Sequence, residues 1–297
     1  MIPLISSCCY GPLGVCQLPR FWWKVLLRKT GLMDEEYPDC SGGLDTWVLE
    51  RLELDKDETL GYLRSEMPDF LTFEAWVLGK KGGELDYGVV GRWNASIRNR
   101  VHGVKKIAET HANIGIPDDG TLTSAVILNS LEDWQLFHSR DLDTGFEGVD
   151  GRVIPLVASI DYGALEVCQL ARTWEKVILK AKGVLHPDYP DFTQGLDAGV
   201  VEALGLDQDT VLAYLREQTP SYVDFEAWVL QQKGGQLDRQ LIAEWNDYIR
   251  NRVHKSELRG RILDELGLPD DGQIRSAVVL NQIEDWHFAH KELVSRF

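Results

Sequence analysis

Positive charge is scarce in this chain. Its 297 residues hold 31 Lys and Arg against 47 Asp and Glu, a formal net charge of −16. Phosphate binding needs clustered Lys and Arg, so the charge balance argues against a nucleic-acid partner. Adsorption to anionic lipid is excluded on the same ground. Long apolar runs are also missing: none approaches the roughly 20 residues of a membrane span, and no membrane partner is expected. Cysteine is sparse and odd in number, at five. With no CxxC and no Cys/His zinc spacing, the chain fits a reducing cytoplasm better than a disulfide scaffold, and Cys8-Cys9 reads as two spare thiols. There is no GxSxG, no Walker loop and no GxGxxG, so neither a cofactor nor a metal is expected. Sustained apolar–polar alternation is absent too, apart from the short IPLISS and IPLVAS entries.

What is present is a repeat. WNASIRNRVH at 93–102 and WNDYIRNRVH at 245–254 agree at eight of ten positions. The same offset of 152 relates Ile2-Pro3-Leu4 to Ile154-Pro155-Leu156 and Tyr37-Pro38-Asp39 to Tyr189-Pro190-Asp191. FEAWVL at 73–78 recurs at 225–230, and PDDG at 117–120 recurs at 269–272. A period this long is a duplicated domain rather than a solenoid unit. The expected organisation is a first domain at 2–145, a linker at 146–153 and a second domain at 154–297. Two such domains on one chain should pack about a pseudo-twofold axis, as an intramolecular pseudo-dimer in a monomeric chain. The apolar opening MIPLISSCCYGPLGVC lacks a basic leader and reappears in mid-chain, so it reads as part of the fold and not as a cleaved signal.

Apolar residues recur at helical spacing, which predicts an all-α fold of orthogonal bundles with five to seven helices each. One helix runs from Leu18 to Arg28 and stops at Gly31, and FEAWVLGKKGG forms another that ends on its glycines. Asp45, Asp86, Asp197 and Asp238 stand where N-caps are expected. Lys24 and Lys176, with Arg20 and Arg172, are expected to snorkel from the first helix of each copy.

Leu18-Pro19-Arg20, then Lys24, Gly31, Tyr37, a Leu44-Asp45 turn and short helices ending in Trp93-Asn94, resembles a small bacterial domain family of unknown function. The resemblance covers about the first hundred residues of each half and implies a helical fold without an activity. The family has an Asp and a second Arg where this chain has Trp23 or Glu175 and Leu26 or Ile178.

On a continuous helix, Asn94, Arg98 and His102 form a polar stripe beside Trp93, Ile97 and Val101, and Asn246, Arg250 and His254 repeat it. The last helix of each copy supplies Asp133, Trp134 and His138, or Asp285, Trp286 and His290. If these helices face each other, imidazole and carboxylate can share a proton near neutral pH, as acid–base catalysis requires. His102, His254, Asp133, Asp285, His138 and His290 are therefore the candidate catalytic residues. Arg98, Arg250, Asn94, Asn246, Trp134 and Trp286 are the candidates for holding a small-molecule substrate. The alternative is a non-catalytic helical binding or protein-interaction module in which the same residues tie helices together.

Overall fold

A computed structural model describes residues 1–144, 146 and 152–297. The expected linker, 146–153, falls for the most part outside the described residues. In chain order the helices are α1 (Leu18–Lys29), α2 (Leu44–Arg51), α3 (Lys56–Glu66), α4 (Phe70–Lys80), α5 (Tyr87–Arg98), α6 (Val104–Ile114) and α7 (Ala125–Leu136). They continue as α8 (Leu170–Ala181), α9 (Leu196–Ala203), α10 (Gln208–Gln218), α11 (Tyr222–Gln232), α12 (Arg239–Asn251), α13 (Ser256–Glu265) and α14 (Ala277–Val294). Among the described residues there is no strand, only isolated bridges such as Val101 to Ser124 and Val253 to Ser276. The fold is all-α, and no helix among the described residues is long and apolar enough to cross a membrane.

Local chemistry sets the helix ends. Asp86 accepts from the Gly88 and Val89 amides, and Asp238 from those of Gln240 and Leu241, as N-caps do. Asp55 and Asp69 cap α3 and α4 in the same way. Gly31 and Gly183 sit at φ +73° and +75° just past α1 and α8, a left-handed position that glycine takes without a Cβ clash. Met67 and Thr219 take the same region without being glycine.

The compact units do not follow the repeat. One consists of Met1–Arg100 with Val253–Phe297, the other of Val101–Arg252. The last two helices of each copy thus pack with the first five of the other copy, whereas the sequence suggested self-contained domains at 2–145 and 154–297. The reason lies in the NRVH segment. Helix α5 stops at Arg98, Val101 bridges to Ser124, and the His102 amide donates to Thr123 O at 3.4 Å. His102 is therefore beyond the helix and not one turn above Arg98.

In the first unit α14 lies on α4 and α1. Trp286 meets Phe70 edge-on at 4.8 Å, and His290 stacks over Trp22 at 6.1 Å. In the second, α7 lies on α11 and α8: Trp134 meets Tyr222 at 4.7 Å, and Phe137 meets Trp174 at 5.9 Å. Trp22, Trp134, Trp174 and Trp286 are among the largest fully buried side chains. Helix α14 continues as α-helix for 18 residues, whereas α7 passes into a π-helical turn at Phe137–Leu142.

Candidate functional site

The candidate catalytic residues are distributed rather than gathered. Arg98 belongs to the first unit and His102 to the second; Arg250 and His254 are divided the other way. His102 Nε2 meets Asn129 Oδ1 at 2.8 Å, and His254 Nε2 meets Asn281 Oδ1 at 2.7 Å. An amide oxygen thus meets each ring at Nε2, and Asp133 and Asp285 are both buried. His138 donates Nε2–H to Thr219 O and His290 to Met67 O, both at 2.8 Å. Each imidazole therefore holds the carbonyl of a left-handed residue at the end of a helix, a capping contact for an otherwise unsatisfied acceptor. Trp134 and Trp286 are core residues and offer no open face for a ligand.

Asn94 and Asn246 act as loop clamps. Asn94 donates to Gly14 O at 2.7 Å and accepts from the Cys16 amide at 3.0 Å, while Trp93 donates to Cys16 O at 2.9 Å. Asn246 repeats this on Glu166 O and the Cys168 amide. Arg98, at the end of α5, points Nη2 at Cys16 Sγ from 3.7 Å and lies over Tyr10; Arg250 lies over Tyr162. Burial pushes the Cys16 and Cys168 thiols up to about 11, against the lowering pull of Arg98 and Arg250. At that value neither thiol is a ready nucleophile near neutral pH.

Asp45 and Asp197 depart from expectation as well. They sit one residue inside α2 and α9, after Gly43 and Gly195, and are buried. Asp45 Oδ2 pairs with Lys24 Nζ at 2.6 Å and accepts from the Ser41 amide, while Oδ1 accepts from Gln17 Nε2 at 2.7 Å. Asp197 has the same lysine distance, 2.6 Å, to Lys176, with Gln169 and Thr173 on Oδ1 and Thr193 on Oδ2. Burial raises the pKa of both carboxyls, yet the lysine charge and the hydrogen bonds together hold them below the usual carboxylate value. So Lys24 and Lys176 do not snorkel; they are the buried halves of closed ion pairs.

Two acids that the sequence reading passed over are Glu74 and Glu226. Each is buried and accepts from the loop that precedes the first helix of its copy: Glu74 from the Leu13 amide, Glu226 from Ala164 and Leu165. Burial pushes Glu74 up to about 8 and Glu226 to about 7, the loop amides pulling the other way. A Cβ on Gly11 would come within 2.4 Å of Phe70 and 2.8 Å of Glu74, and one on Gly163 within 2.5 Å of Tyr222. Only glycine lets the loop seat this closely, so these carboxyls are packed under backbone with no room for a substrate beside them. A Glu-x-x-His spacing, expected to be absent, does occur as Glu284-Asp285-Trp286-His287 on α14, and α7 lacks it. Among the described residues no three His, Cys, Asp or Glu side chains converge as a metal site would need.

Open space with free charge is found elsewhere. A cleft of about 490 Å³ in the first unit is bounded by the end of α2, the Glu53 turn, the end of α4 and the start of α5. Leu52, Leu85 and Val90 form a buried apolar floor, and Arg51, Glu53, Lys81, Glu84 and Asp86 stand on the rim. Lys81 is paired with Glu53 at 2.5 Å, and Asp86 is occupied as the N-cap of α5. Arg51 and Glu84 are exposed and have no ion-pair or hydrogen-bond partner among the described residues. The volume lies within the range of small-ligand sites. Little in the sequence marks it, because its rim residues are ordinary surface charges until the fold brings four segments together.

Comparison with protein-family models, with curated proteins and with solved structures returns no match.

Proposed function

We propose that the protein is a non-catalytic helical binding module whose ligand site is the cleft in the first unit. The observation that carries this reading is the contrast in satisfaction. The Nε2 atom of every imidazole among the candidate catalytic residues is engaged by an amide or carbonyl that holds the fold, whereas Arg51 and Glu84 face open space. An acid–base enzyme built on His102, His254, Asp133 and Asp285 draws little support from this placement, because Nε2 of each of the two rings meets an asparagine and Arg98 and Arg250 lie over Tyr10 and Tyr162.

The cleft chemistry selects a small zwitterion with an apolar body, of the amino-acid or short-peptide type. Its carboxylate would meet the planar guanidinium of Arg51, its ammonium Glu84, and its side chain the Leu52, Leu85 and Val90 floor. The corresponding positions of the second copy are Ala203, Gly205 and Gln236 in place of Arg51, Glu53 and Glu84, so one ligand per chain is expected. The two repeats would then form an intramolecular pseudo-dimer in which only one copy binds.

Calorimetric titration with a panel of free amino acids and dipeptides tests this. Saturable binding at one site, weakened at least tenfold by Arg51→Ala and by Glu84→Gln, is the expected result. Absence of any binder, or a binder indifferent to both substitutions, would overturn it. Turnover of a compound that is abolished by His102→Ala with His254→Ala would instead restore the enzyme.

A further inference from the structure

The exchange of helices between the copies has a consequence for assembly. In the first unit, the surface made by Trp22, Pro68 and Phe70 is covered by α14, which belongs to the second copy. Trp286 fills it, and His290 closes it by its bond to Met67 O. In the second unit, Trp174, Pro220 and Tyr222 form the same surface, covered by Trp134 and by His138 on Thr219 O. Trp22 Nε1 donates to Pro68 O and Trp174 Nε1 to Pro220 O, both at 2.9 Å, so the surface is built alike twice. Neither copy covers its own. The chain crosses at Asn99–His102 and at Asn251–His254, which are identical in the two copies. Val101 and Val253 are among the exposed large apolar residues, as a crossing point without a packing role would leave them.

We propose that this surface is a docking site for the α7- or α14-type arm of another repeat, so that repeats of this sequence assemble in trans and the connection between them is dispensable for holding the protein together. The contacts an arm makes are the same whether it arrives on one chain or from a second, and exchange of identical elements is a low-cost route to association. On one chain the second arm is delivered at high effective concentration and keeps both surfaces covered. This inference concerns assembly and does not depend on what the cleft binds.

The test uses the full chain with a protease site inserted within 147–150 and cleaved after folding. The expected result is a single particle of about 33.6 kDa by light scattering and native mass spectrometry, separating only on denaturation. Two particles of half that mass would overturn the proposal. Two tightly apposed but self-contained domains could also stay together, so a second measurement separates the cases. In the uncut Trp286→Ala protein, or in the milder His290→Ala, amide hydrogen exchange should rise by about tenfold in 18–80 and stay within about twofold in 170–232. Trp134→Ala and His138→Ala should do the reverse. A rise confined to the mutated residue's own copy would overturn the proposal, whatever the cleaved protein does.

Discussion

The two copies differ at the cleft and agree at the buried lysine pairs, and the contrast separates what folding needs from what the proposed binding would use. Asp45 and Asp197 keep their lysine at the same 2.6 Å and accept the amide of Ser41 or Thr193 alike, and they differ in the Thr173 and Thr193 hydroxyls that donate only in the second copy. The rim of the cleft has no such constancy: Arg51, Glu53 and Glu84 are replaced by Ala203, Gly205 and Gln236. A buried charge that loses its partner is strongly destabilising, so such a pair cannot drift one residue at a time. An exposed rim can drift freely, and where one copy carries a free guanidinium and a free carboxylate over an apolar floor, the other does not.

The largest expected effect comes from breaking the closed pairs. Asp45→Ala leaves Lys24 buried without its carboxylate and should lower unfolding stability by about 3–5 kcal/mol, with Asp197→Ala falling in the same range. Denaturant melts of the two variants measure this. A Lys24→Met with Asp45→Leu double variant should recover most of the loss, since the apolar replacement removes both charges together. If Asp197→Ala were nearly silent, the equivalence of the two pairs would fail.

The buried glutamates sharpen the comparison through pH. Glu74 and Glu226 have folded values of about 8 and about 7 against an ordinary 4.5, so the folded state holds the proton more tightly than the unfolded chain. Their stabilising contribution is fully present below about 4.5 and is lost as pH rises, through about 7 for Glu226 and about 8 for Glu74. Glu74→Gln should therefore remove part of the fall in stability between pH 5 and 8, read as the difference between variant and wild-type melts. Tyr222 donates its hydroxyl to Glu226 Oε1 at 3.1 Å, and Phe70 in the other copy cannot. Tyr222→Phe should move Glu226 upward, part of the way toward the Glu74 value, because the Leu165 and Ala164 amides still hold its carboxylate. An unchanged titration, followed by carboxyl NMR, would show that the two sites differ for some reason other than the tyrosine hydroxyl.

Much of the helical framework was legible in the sequence because its signals are local. Asp86, Asp238 and Gly31 do what their spacing predicts, and the 3.6-residue periodicity places the helices. The candidate site was not legible, because it depended on one helix continuing. Asn94, Arg98 and His102 are a stripe only if α5 runs to His102, and it stops at Arg98. What stops it is the bridge from Val101 to Ser124, a partner 23 residues away that periodicity cannot register. The same crossing moves α6 and α7 into the other unit, so the matching segments at 93–102 and 245–254 mark a chain crossing and a loop clamp. Asp45 was misplaced for a related reason: a carboxylate near a helix start reads as a cap until Lys24, on a different helix, takes it.

The smallest structural perturbation gives the most direct test of function. Arg51 is exposed and unpartnered among the described residues, so Arg51→Ala should change stability by no more than about 0.5 kcal/mol. Its ligand affinity should nevertheless fall at least tenfold. The converse is to build the rim where it is absent, with Ala203→Arg, Gly205→Glu and Gln236→Glu. Gly205 has φ +60° and its counterpart Glu53 has φ 50°, so the backbone at this turn already carries a side chain in one copy. A Cβ at Gly205 would approach only Lys233 Nζ, at 3.0 Å, the flexible end of a residue that corresponds to Lys81 and can pair with the new glutamate as Lys81 does with Glu53. Titration of the grafted protein should rise from one bound ligand per chain to two. A stoichiometry that stays at one, in a variant that melts like wild type, would mean that the rim charges do not define the site.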